Sequence, residues 1–90
     1  MNRAEFNETI ANARFATVTF TKKDGSTRVL QAALTGDEIE KIGGKEAVTF
    51  KTDRVFNEDI VKLYDVENKG WRSVRLESIH YVEVKGVRYE

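Results

Sequence analysis

The sequence contains no cysteine and no proline. Without cysteine there is no disulfide to staple the fold and no thiolate metal site, and a reducing cytoplasm would suit such a chain. The single histidine, His80, has no cysteine with which to form a Cys/His metal centre or nucleophile pair, and it reads as a strand residue near the surface. Net charge is also missing. Fifteen Lys and Arg balance fifteen Asp and Glu, so no global field draws the chain towards a polyanion, and any anion site has to be a local patch. Long apolar runs are absent as well: nothing approaches the ~20 residues of a membrane-spanning helix. Glu5, Asn7, Glu8 and Asn12 break up the first thirteen residues, which therefore do not read as a signal peptide.

What the chain does have is enough apolar material for one small core. It is 90 residues long, 40% apolar and 10% aromatic, a size that accommodates one domain. Asn2 followed by Glu5 resembles a capping box, and Phe6, Ile10 and Ala13 recur at helical spacing, which predicts a short amphipathic helix over residues 3–13. From residue 15 the pattern becomes extended, with Ala16, Val18 and Phe20 as the core face. Asp24-Gly25 then predicts a β-hairpin into a second strand over 27–34. Residues 38–42 predict a short helical turn or loop ending at Gly43-Gly44, residues 47–51 a third strand, 53–57 a polar connection and 60–66 a fourth strand. A turn at Asn68–Gly70 leads to a fifth strand over 71–76, a tight turn at Glu77-Ser78 and a final strand over 80–84, with 87–90 as an edge. This spacing predicts a mainly β fold: a small SH3-like or Sm-like barrel of five to six antiparallel strands, residues 14–90, with the helix of residues 1–13 packed on it.

Catalytic constellations are not visible. Asp37, Glu38 and Glu40 lie in a solvated stretch and lack the contrasting environments of an acid/base pair. Gly25, Gly43 and Gly44 do not stand between a strand and a long helix as phosphate-binding loops require. Ser26, Ser73 and Ser78 have no base beyond the lone His80. The expectation is a binding protein, not an enzyme, with no metal or cofactor.

The candidate site is arginine with an aromatic neighbour, a pairing that can hold phosphate and stack a base. Trp71, Arg72 and Arg75 lie on the fifth strand, Arg28 on the second and Arg54 in the connection before the fourth. Alternation puts Trp71, Ser73 and Arg75 on one face and Arg72 and Val74 on the other, so Trp71 and Arg75 are expected to point outward together. Lys22 and Lys23 at the hairpin tip serve equally as phosphate contacts or solubilising residues. The competing expectation is that Trp71 packs under the terminal helix while the arginines pair with Glu77, Glu58 or Asp53.

Three stretches resemble a known family: residues 18–28, from Val18 through Lys22-Lys23-Asp24-Gly25 to Arg28; residues 60–65, from Ile60 to Asp65; and Trp71-Arg72-Ser73-x-Arg75-Leu76-x-Ser78-Ile79. Together they look like the WYL-related domains with an Sm-like SH3 β-barrel, closest to a short stand-alone branch found in phages and bacteria. The resemblance implies a ligand-sensing module that binds nucleotides or single-stranded nucleic acid, with Arg72 and Arg75 matching its arginine-x-x-arginine element and Arg28 its basic second-strand position. The tripeptide that names the family is replaced near Asp59-Ile60-Val61, and no helix-turn-helix precedes the barrel, which argues against a self-contained transcription factor. The leading expectation is therefore a non-enzymatic phage-type accessory or regulatory protein of the cytoplasm, the host's if phage-encoded. It would bind a nucleotide or single-stranded nucleic acid through Arg28, Trp71, Arg72 and Arg75. The alternative is a protein-protein module that inhibits or redirects a host protein, and homo-oligomers through open sheet edges are a further expectation.

Overall fold

The computed structural model describes residues 2–49 and 59–90. Helix α1 (Arg3–Ile10) begins with the expected capping box: the Glu5 amide donates to the Asn2 side chain at 2.8 Å, and the Asn2 amide donates to the Glu5 carboxylate at 3.0 Å. It is shorter than its periodicity suggests. The chain turns after Ile10, so Ala13 reaches the core from outside the helix while Phe6 and Ile10 reach it from within.

Strands β1 (Phe15–Thr21) and β2 (Thr27–Ala33) form the hairpin. At its tip Gly25 takes φ +90°, which glycine reaches without steric penalty. Asp24 accepts from the Ser26 amide and hydroxyl at 3.0 and 2.6 Å. Helix α2 (Gly36–Gly43) is capped by Thr35, whose hydroxyl accepts from the Glu38 amide at 3.3 Å, and Gly44 at φ +81° ends it. Helix α3 (Lys45–Thr49) follows at once. After it come β3 (Ile60–Asp65), β4 (Gly70–Arg75), a single 3₁₀ turn at Leu76–Ser78, β5 (Ile79–Val84) and the short edge strand β6 (Val87–Tyr89).

All six strands are antiparallel neighbours in one sheet of order β4-β3-β2-β1-β5-β6, the expected mainly β architecture of an Sm-like, SH3-like barrel. The sheet rolls around one core. Ala16 and Val18 of β1, Leu30 and Ala32 of β2, Val61 and Leu63 of β3, Val74 of β4, and Val82 and Val84 of β5 meet there, with Phe6 of α1 among them. Phe20, on the same face of β1, is half-buried and stands directly across from Arg28. The β1–β5 ladder slips between Thr19 and Phe20, so Val18 faces Val82 but Phe20 faces Ile79.

One expectation is corrected here. The third strand over 47–51 does not form: residues 45–49 are α3, and residues 50 and 51 lie outside the described residues, as does the 53–57 connection. The β-branched Val48 suggested extension, but Ala47 and Val48 instead pack as a helical face against a second cluster on the outside of the sheet, built from Ala33, Ile39 and Tyr64. Tertiary packing overrides local propensity in such short segments. The turn at Glu77-Ser78 is the 3₁₀ turn. Among the described residues, no helix is long and apolar enough to cross a membrane.

Where α2 meets α3, Gly43 has ordinary helical backbone, yet a side chain does not fit. A Cβ there would strike the Tyr64 hydroxyl and come within 2.8 Å of the Ala47 Cβ. Because Tyr64 is buried and has little room to move, Gly43→Ala is expected to destabilise the fold by about 1–3 kcal/mol, the usual range for overpacking. Chemical denaturation of the wild type and the variant measures this directly.

Candidate anion site

Strands β2 and β3 are paired over only a short stretch, Ala32 with Asp65 and Ala33 with Tyr64, and the Val66 amide adds a bond to the Gln31 carbonyl at 2.9 Å. Beyond Asp65 the chain turns back through Val66 to Lys69, which takes φ +51°, and enters β4. Asp65 has the same parity as Val61 and Leu63, so its carboxylate enters the inner face, and only 1% of the residue remains exposed.

A buried carboxylate is costly unless its oxygens are satisfied. One oxygen of Asp65 accepts from the Glu67 amide at 3.0 Å and the Asn68 amide at 3.2 Å, which fixes the turn. The other accepts from Asn68 Nδ2 at 2.7 Å and Arg28 Nη2 at 2.9 Å, and lies 3.4 Å from Arg72 Nε. Burial alone would raise the Asp65 pKa. The Asn68 side chain and amide, the Glu67 amide and the Arg28 charge outweigh it and hold the carboxyl below its ordinary value.

Both arginines follow from strand geometry. Arg28 shares its face of β2 with Leu30 and Ala32, and Arg72 stands across from Leu63 on β4, so each guanidinium leaves the inner face where the rolled sheet opens. Their side chains are 27% and 46% exposed. Two positive groups share one negative one, which leaves a local excess of one positive charge on an otherwise neutral chain. Arg72 approaches Asp65 through its Nε.

The four expected site residues do not form one surface. Arg28 and Arg72 converge. Trp71 lies on the opposite, outer face, where its indole donates to the Ala47 carbonyl at 2.9 Å and meets Tyr64 edge-on, with ring centroids 5.3 Å apart. It is half-buried beneath α2 and α3, not under the terminal helix. Arg75 shares that outer face at its far end, across from Ile60, and lies 3.7 Å from the exposed Glu77. Trp71 and Arg75 therefore do not make a joint outward platform. Lys22 and Lys23 are exposed at the hairpin tip, while Arg54, Asp53 and Glu58 lie outside the described residues.

Asp65 and Asn68 escaped the sequence reading, which gathered cations and aromatics and left out the anion between them. Their signal was present: an Asp closing an alternating apolar strand, with Asn three residues on, is a typical side-chain-to-backbone turn.

A rolled six-stranded antiparallel sheet with a terminal helix is the architecture of the small Sm-like barrels. Residues 10–80 match the family described as WYL_2, Sm-like SH3 beta-barrel fold, and the chain belongs to that family. No curated protein and no solved structure matches it.

Asp65→Asn replaces an acceptor with an amide, whose donor group would face Asn68 and both arginines. A loss of about 1–3 kcal/mol at neutral pH is expected. Because the folded pKa lies below the unfolded one, Asp65's ionic contribution is complete above pH ~4 and is lost as pH falls through the folded value. Urea denaturation at pH 7 and pH 3 should show a gap between wild type and variant that narrows in acid. For Trp71→Phe, the lost indole bond should cost about 1 kcal/mol, and hydrogen exchange should rise mainly in α2 and α3.

Proposed function

We propose that this chain is a non-enzymatic binding domain that takes a nucleotide or single-stranded nucleic acid by its phosphate on the Arg28–Arg72 pair. The observation that carries this reading is the fixing of two guanidiniums by one buried carboxylate. Guanidinium forks match phosphate oxygens, and their fixed position lowers the ordering cost of binding. Asp65 is the positioning residue, Arg28 and Arg72 the contacts, and Trp71 a structural residue. The family's Sm-like SH3 barrel fold favours binding over catalysis.

A second reading has its own support. Strand β6 is an edge with Val87 and Tyr89 exposed at 51% and 41%, a surface to which a protein partner could add a strand. Stoichiometric co-purification of one protein, abolished by Val87→Lys and free of nucleic acid, would favour it.

Anisotropy of a fluorescent single-stranded oligonucleotide at low salt tests the first reading. The wild type should bind at tens of micromolar or tighter and weaken as salt rises. Arg28→Gln and Arg72→Gln should each weaken binding about tenfold, equivalent to about 1.4 kcal/mol, while Arg75→Gln and Trp71→Phe stay within about threefold of wild type. No binding, or binding indifferent to Arg28 and Arg72, overturns it.

A further inference from the structure

We propose that Phe20 is the aromatic wall of the Arg28–Arg72 site, so that the ligand it selects carries a base beside its phosphate; this rests on the phosphate reading above. Phe20 and Arg28 are direct cross-strand partners in the β1–β2 hairpin. Partners of this kind leave the sheet on the same face with Cβ atoms roughly 4.5–5.5 Å apart. The ring thus emerges beside the guanidinium on the face that also carries Arg72 and Asp65.

Its burial sets it apart from its neighbours. Ala16 and Val18, the preceding inner residues of β1, are fully enclosed, whereas Phe20 packs against the core yet stays half-buried. Part of an apolar ring is thereby left at the rim, where guanidiniums stand and an aliphatic side chain would suffice for packing alone. The irregularity of the β1–β5 ladder falls between Thr19 and Phe20. The extra residue there is His80 of β5, while β1 keeps an unbroken register with β2 through Phe20 and Arg28; bulges of this kind concentrate at functional rims.

Two other aromatics of the sheet are engaged elsewhere, while the exposed Phe15 stands at the far end of β1, across from Ala33, and the exposed Tyr89 on the edge strand β6. Trp71 is tied to Ala47 and Tyr64 on the outer face, and Tyr81 has the Arg88 guanidinium 3.9 Å over its ring. Stacking on an aromatic side chain is tolerant of base identity, so the site is expected to prefer base-bearing phosphates over bare sugar-phosphate without strong sequence selection.

The test compares two probes of equal length, a single-stranded oligonucleotide and an abasic sugar-phosphate strand, on wild type, Phe20→Leu, Phe20→Met and Phe20→Tyr. Each variant is first shown to melt cooperatively; should the Leu variant fail to fold, the Met variant makes the same comparison. The wild type should favour the base-bearing strand. Phe20→Leu should lose about tenfold on that strand, within the usual range of a base–aromatic stack, and keep its affinity for the abasic one. Phe20→Tyr should retain both.

If Phe20→Leu binds both probes as the wild type does while Arg28→Gln weakens both, the stack is refuted and the phosphate reading survives. If Phe20→Leu loses affinity equally for both strands, the ring only props Arg28, and the inference is overturned. A wild type that binds neither probe, or an Arg28→Gln variant that binds like wild type, removes the phosphate reading and this inference with it.

Discussion

Taking a carboxylate out of water is among the more costly things a small fold can do, and much of this molecule is arranged around having done so at Asp65. Its two oxygens have separate duties. One holds the amides of Glu67 and Asn68 and so shapes the turn between β3 and β4; the other gathers Asn68, Arg28 and Arg72 from the turn, from β2 and from β4. The first duty makes a loop, and the second makes an electrostatic feature that the neutral composition of the chain conceals. Neither would persist with the carboxylate alone, because each donor lowers the burial cost that the others depend on.

The sheet also divides chemistry between its faces. Trp71 and Arg72 are adjacent in sequence and serve opposite sides: the indole fastens α3 through Ala47, and the guanidinium turns to the inner rim. Helices α2 and α3 shield the outer face of β3 around Tyr64, so the end of that strand is buried on both sides: Leu63, Tyr64 and Asp65 are consecutive interior residues, while Lys62 before them stays exposed. Gly43 permits this double burial because its missing side chain lets the helix lie directly on the Tyr64 ring.

Much of the architecture was legible from local signals. Asn2 with Glu5 announced the first helix, Asp24-Gly25 the hairpin, and alternation from Phe15 and from Ile60 the strands, because each depends on neighbours close in sequence. Residues 47–49, the start of the strand expected over 47–51, were misread as extended since Ala47 and Val48 are shaped by Tyr64 and Trp71, contacts that no short window contains. The face assignment of Arg72 opposite Trp71 was correct from parity alone. What parity could not supply was the convergence of Arg28, separated by 37 positions from Asp65, or the covering of Trp71 by a helix expected to be a strand.

The short β2–β3 ladder has a mechanical meaning. Regular pairing between the hairpin side of the sheet and the β3–β4 side is confined to Ala32–Asp65 and Ala33–Tyr64, so this seam is where the roll has least backbone support. Arg28 stands on one bank and Arg72 on the other, with Asp65 between them. An anion gripped by both would act as a clasp, converting occupancy of the rim into cohesion between the two halves of the barrel.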